Sequence, residues 1–163
     1  RLLEQRHAVR CYFAYGSNMN ISRMTGRDMN FTSVVAGCIQ GFGLRFNKRS
    51  RRDNNLACAN IVYSPSERLE GLLYKLDGVD EIAKLDVHEG SPRRYSREVF
   101  AVDTANGVEY AWIYVANPAV IDNQIKPARW YVEHLLAGRE YLSDEYWRGI
   151  DLVECGAHGV EWS

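Results

Sequence analysis

The sequence predicts an α+β fold, a small mixed, mostly antiparallel β-barrel flanked by helices, and three observations predict it. Segments rich in Val, Ile, Leu, Tyr and Phe follow one another across short turn signals, the arrangement that pairs neighbours antiparallel. Within Phe31 to Asn47 the apolar pattern is interrupted at Gly41 and Gly43, and glycine inside a strand marks the bulge or bend that a small barrel requires. After Asn117-Pro118 the hydrophobic period turns helical, which places helices against one side of the sheet.

Residues 1–9 are mixed and charged and read as a frayed lead-in to a single domain over 10–163. Residues 10–15 form the first strand, and a turn at 16–18 leads to a short helix near 20–25 that ends by Gly26. Phe31 to Asn47 makes one long strand or two. The basic run Lys48-Arg49-Ser50-Arg51-Arg52-Asp53-Asn54-Asn55 reads as a solvated hairpin tip in preference to a phosphate grip, since no aromatic residues are interleaved with it. Leu56 to Tyr63 and Leu69 to Leu76 read as two strands separated by the turn Ser64-Pro65-Ser66-Glu67. Asp77 offers a cap to a helix carrying Val79, Ile82, Ala83 and Leu85, with Gly90 and Pro92 as its stop. Tyr95 to Asp103 and Glu109 to Ala116 pair around Ala105-Asn106-Gly107, where Asn-Gly is a strong hairpin signal. Pro127 opens a helix with Trp130, Tyr131, His134, Leu135 and Leu136, and Ser143-Asp144-Glu145 starts the last one, with Tyr146, Trp147, Ile150 and Leu152.

Composition narrows the function. At 163 residues the chain buries a core without disulfide or metal support. A net charge of −1 supplies no global field for nucleic acid or an anionic membrane, so neither is expected as a partner, and a charged ligand must be met locally. Cys11, Cys38, Cys58 and Cys155 are scattered, which suits buried thiols in a reducing compartment and makes the cytoplasm the expected location. No apolar run approaches the ~18 residues that cross a bilayer. The first residue is Arg1 rather than Met, so native sequence ahead of it is expected.

Two stretches carry chemistry. In Tyr12-Phe13-Ala14-Tyr15-Gly16-Ser17-Asn18 an apolar strand runs straight into a small polar turn. Gly16 permits a sharp bend there, and successive backbone N–H groups aimed one way would stabilise an anion or a developing oxyanion. The other reading is an ordinary strand end. Glu89 falls where a helix terminates, near the negative end of its dipole, which disfavours the charged carboxylate and moves it toward acid–base work near neutral pH. For a single glutamate, an exposed surface residue is the plain alternative.

The two stretches together resemble the γ-glutamylcyclotransferase family, in its binding loop at Tyr12 to Asn18 and its catalytic Glu-Gly at Glu89-Gly90. The likeness continues through Ala59-Asn60-Ile61, Gly71-Leu72-Leu73-Tyr74, Leu85-Asp86, Tyr95, Tyr131 to Gly138 and Tyr146. The resemblance implies a barrel flanked by helices, no cofactor, no metal, and release of 5-oxoproline from a small γ-glutamyl substrate. It implies Glu89 as general acid and base, and Tyr12, Phe13, Ala14, Tyr15, Gly16, Ser17, Asn18, Tyr95 and Tyr131 as substrate-binding residues. Gly138-Arg139-Glu140 departs from the family pattern, which points to leaving-group specificity as the variable part. A homodimer is left open.

Other constellations are weaker. Ser17, His88 and Asp86 do not compose a nucleophilic triad, because no Gly-x-Ser-x-Gly elbow is present and residues two apart on a helix do not face each other. The same geometry opposes a metal site at Asp86, His88 and Glu89, and His7, His134 and His158 stand isolated. Trp130 and Trp147 read as core packing, and Tyr131 as core or pocket wall. The enzyme reading therefore rests on Glu89 in the company of the turn. The reading from another class is a binding or regulatory module on the same fold, and hydrolysis of the same amide is a third.

Overall fold

The computed structural model describes residues 8–156, so most of the expected lead-in, together with His7 and His158, lies outside the described residues. Five strands close into a barrel in the order β1-β3-β2-β4-β5. They are β1 (Cys11–Ala14), β2 (Phe31–Arg49), β3 (Ala57–Leu76), β4 (Tyr95–Thr104) and β5 (Gly107–Ala116). Every pairing is antiparallel except the closing one, where Cys11 and Tyr12 of β1 run parallel to Ala111 and Trp112 of β5. The expected mixed, mostly antiparallel barrel is therefore the observed one.

The helices are α1 (Ile21–Gly26), α2 (Ile82–Glu89), α3 (Arg129–Leu136) and α4 (Asp144–Asp151). α4 begins on Ser143, whose side chain accepts from the Tyr146 N–H, as its sequence position predicts. α2 starts at Ile82 rather than Val79, and Asp77 does not cap it; Glu81 occupies the cap position. No helix among the described residues is long and apolar enough to cross a membrane.

β2 and β3 carry most of the barrel. Their ladder runs from Phe31↔Leu76 to Arg49↔Ala57, so the expected turn at Ser64 to Glu67 is not a turn. Gln40 faces Arg68 and Phe42 faces Tyr63, leaving residues 64–67 as a bulge opposite Gly41, which takes φ 84°. Pro65 is tolerated there because a bulge asks for no ladder N–H. A second irregularity lies between Phe46 and Lys48. It breaks the period of two, and the consecutive residues Asn47 and Lys48 are both buried.

β1 lies between β3 and β5, and Tyr12, Phe13, Ala14 and Tyr15 are all buried. The approach to β3 is close. A side chain on Gly71 would come within 2.7 Å of the Phe13 ring and closer still to the Ala14 carbonyl oxygen. Beyond Ala14 the chain leaves the barrel, makes a 3₁₀ turn over Ser17–Met19, and is covered by α3.

Candidate active site

Glu89 is the last residue of α2, and Gly90 behind it takes the left-handed conformation (φ 65°, ψ 33°) that ends the helix. The carboxylate meets the turn after β1. Asn18 Nδ2 donates to Glu89 Oε1 at 3.3 Å, and Arg27 Nη1 stands 3.5 Å from the same oxygen. Arg27 also donates to Asn18 Oδ1 at 3.0 Å, and Asn18 Nδ2 donates to Tyr12 Oη at 3.1 Å. The Tyr74 hydroxyl fixes the same residue through its backbone oxygen, at 2.6 Å. One oxygen of Glu89 is thus held in a network, while Oε2 has no hydrogen bond among the described residues.

The Glu89 side chain is 16% exposed. Burial pushes its carboxyl above the usual range, although Arg27, Lys48, Arg23 and Arg51 all pull it down. Desolvation is the largest influence, and it acts in the direction expected from sequence.

Two connected spaces share Glu89, Ser17, Tyr95 and Tyr131. The inner one, about 30 Å³, lies among the turn Gly16 to Asn18, Ala59, Glu89 and the tyrosines Tyr12, Tyr15, Tyr95, Tyr114 and Tyr131. On the scale of one probe sphere per water it holds a group the size of a carboxylate. These phenols differ in their hydrogen bonds. Tyr15 donates to the Tyr114 carbonyl, Tyr95 to the Ala59 carbonyl at 2.6 Å, and Tyr114 to Asp86 Oδ1 at 2.8 Å. Tyr131 accepts from the Ala59 N–H at 2.9 Å and Tyr12 accepts from Asn18, so these two keep a hydroxyl hydrogen to offer a ligand. Burial holds both above the usual tyrosine range, so they stay protonated donors.

The turn adds backbone donors. The Met19 and Asn20 N–H groups bond back to Gly16 and Ser17, which leaves the first two N–H groups, of Ser17 and Asn18, outside the turn's own hydrogen bonds. Gly16 has φ −114°, so its value is not left-handed freedom but space: a Cβ there would lie 3.1 Å from the Ala59 Cβ and 3.5 Å from the Tyr131 hydroxyl.

The outer space, about 660 Å³, is basic: Arg23, Arg27, Lys48, Arg51 and Arg52 line it, and Glu89 is the lone carboxylate among the described residues that line it. Lys48 is 5% exposed, and its Nζ sits 4.7 Å over the Tyr95 ring. Burial lowers its ammonium pKa.

The family model for Gamma-glutamyl cyclotransferase, AIG2-like, matches residues 12–133, a segment that holds both halves of this site. The chain belongs to this family. Solved structures agree on the fold. A gamma-glutamyl cyclotransferase of 23% identity superposes with a TM-score of 0.80, over 94% of this chain and 92% of that one. A human protein designated LOC79017 has 24% identity and a TM-score of 0.81 over the same shares, 94% and 92%. YkqA from Bacillus subtilis has 22% identity and a TM-score of 0.75, covering 90% of this chain and 55% of its own. No curated protein matches by sequence.

Within this member of the gamma-glutamyl cyclotransferase family, the structure brings together Glu89, Tyr12, Tyr15, Gly16, Ser17, Asn18, Tyr95 and Tyr131. Phe13 and Ala14 are a correction: both are fully buried and line neither space, because they pack β1 into the barrel. Asp86 accepts from Tyr114 and stands 3.0 Å from Arg97, and among the described residues no hydrogen bond links it to His88 or Ser17 as a triad would need. Gly138, Arg139 and Glu140 line neither space, and Arg139 stacks 4.1 Å over Trp147. The basic run read as a solvated tip instead supplies Lys48, Ser50, Arg51 and Arg52 to the outer space. Arg27 and Tyr114 also escaped the sequence reading. Neither carries a local signal, since each acts through a partner far along the chain.

Proposed function

We propose that the protein is a γ-glutamylcyclotransferase-type enzyme, a cofactor-independent lyase that releases 5-oxoproline from small γ-glutamyl amides. Glu89 takes a proton from the substrate α-amino group, whose nitrogen attacks the γ-carbonyl carbon and closes the five-membered ring. The tetrahedral intermediate then collapses with cleavage of the amide C–N bond, and Glu89 returns the proton to the departing amine. The observation that carries this reading is a carboxyl with one oxygen held by Asn18 and Arg27 and the other unengaged, beside the donors of Tyr12, Tyr131 and the turn. Those donors suit the α-carboxylate or the oxyanion, which fixed dipoles stabilise without reorganising. Folding the substrate on itself supplies a proximity advantage of ~7 kcal/mol.

Incubation with γ-glutamyl-alanine and related amides, with 5-oxoproline measured by chromatography, tests the proposal. Product is expected from the wild type, and Glu89→Gln is expected to lose turnover while still binding the substrate. Binding without product by the wild type would favour the binding-module reading. Product from Glu89→Gln at the wild-type rate would acquit Glu89.

A further inference from the structure

We propose that the outer space is an anion subsite anchored by Lys48, and that the favoured substrates are γ-glutamyl amides whose leaving amine carries two negative charges, such as an acidic amino acid. The inference rests on the cyclotransferase reading and adds to it the class of leaving group.

The cations around the outer space outnumber the carboxylates among the described residues that line it. Lys48, Arg51 and Arg52 form no ion pair among the described residues, and Glu89, the one carboxylate among the described residues that line the space, already faces Arg27. Arg51 donates to the backbone oxygen of His88 at 3.3 Å, next to the catalytic position, which draws the loop over the space. Lys48 is the sharpest case. A buried ammonium without a counter-ion carries a desolvation cost that its ring contact with Tyr95 only partly offsets. A ligand that supplies the opposite charge offsets that cost.

Its position in the strand supports a purpose. The bulge between Phe46 and Lys48 buries Lys48 in succession to Asn47, where plain alternation would have sent one of them outward. Asn47 is satisfied within the protein, accepting from Asn60 at 3.1 Å and donating to Asn123 at 3.0 Å. Lys48 has no such partner and lines the space beside Cys58 and Tyr95. With the inner space sized for one small group at the glutamyl end, the departing amine is left in the basic part. Three cations around it match a group of charge −2 better than one of −1 and repel a cationic one.

The test compares γ-glutamyl-glutamate with γ-glutamyl-glutamine, a near-isosteric pair that differs by one charge. The α-carboxylate of the glutamyl unit is common to both and cancels in the ratio. With wild-type protein at a pH on the activity plateau, kcat/KM should favour the glutamate compound about tenfold, mainly through KM. Lys48→Met should bring the glutamate-to-glutamine ratio toward one, and the exposed pair Arg51→Gln with Arg52→Gln should lower it if Lys48→Met does not fold. Equal kcat/KM for the two compounds in the wild type, or an unchanged ratio in both variants, overturns the inference. If neither compound yields 5-oxoproline, the cyclotransferase reading fails instead. Calorimetric binding of the same pair to Glu89→Gln then still decides the charge preference.

Discussion

Asn18 shows how one side chain can tie a site together. Its amide donates to Tyr12 and Glu89 and accepts from Arg27, so the carboxylate, the first strand and the arginine share one anchor. The Glu89 carboxyl is raised by burial and lowered by Arg27, with Arg27 the largest opposing influence. Two consequences follow for activity against pH. With Glu89 as the proposed base, the acid limb of kcat/KM should lie above the ordinary glutamate value of about 4.3, because the carboxylate must be ionised to accept a proton. Arg27→Gln removes a charge that favours the carboxylate, so the limb should move to higher pH, read from a kcat/KM profile between pH 4 and 9. A limb that stays put or moves down would show that Arg27 does not set the Glu89 proton affinity.

At the scale of elements, the contact between β1 and β3 positions the turn that follows β1. Gly71 sits where a Cβ would press on the Phe13 ring and the Ala14 carbonyl, two residues before Gly16. Gly71→Ala should therefore cost about 1–3 kcal/mol of stability in urea unfolding and depress activity, because backbone cannot yield as a flexible side chain does. Gly149→Ala is the control: a Cβ there meets nothing within 4 Å, and within α4 alanine should be neutral or stabilising by up to about 1 kcal/mol. The same elements show what a sequence can disclose. The Asn106-Gly107 hairpin, the stop at Gly90 and the cap at Ser143 were legible because each is local chemistry, and Gly107 indeed takes φ 106°. The strand through Pro65 was not legible, because the local turn signal is overridden by β2, whose Gly41 gives the bulge its place. Lys48 hid for a related reason. Its cover is the Tyr95 ring from β4, and a basic run looks solvated until a distant strand is brought across it. Half of the candidate site was thus readable as motif, and the basic half was not.

On the scale of the whole molecule, barrel closure sets a charge in a dry place and folding bears the cost. The parallel contact of β1 with β5 brings the turn and its tyrosines to one end of the barrel, and α2 delivers Glu89 to the same end. Because the folded-state pKa of Glu89 is raised, ionising it in the native protein opposes folding, and this loss is felt as pH rises through that pKa. Below the unfolded value of about 4.3 the residue is protonated in both states and the penalty vanishes. Glu70 behaves in the opposite sense. It is 7% exposed and accepts from the Ser143 N–H and hydroxyl at 2.8 and 2.7 Å; burial pushes its carboxyl up, but Ser143 and Arg68 together hold it below the usual range, so its contribution is lost as pH falls. Glu89→Gln keeps the shape and the acceptor for Asn18 and Arg27 while removing the buried charge. The variant should therefore melt at a higher temperature than the wild type at pH 7, with the gain shrinking as pH is lowered and gone near pH 4. An equal or lower melting temperature at pH 7 would show that Arg27 and its neighbours fully repay the burial of the carboxylate, and that the site carries no trade of stability for function.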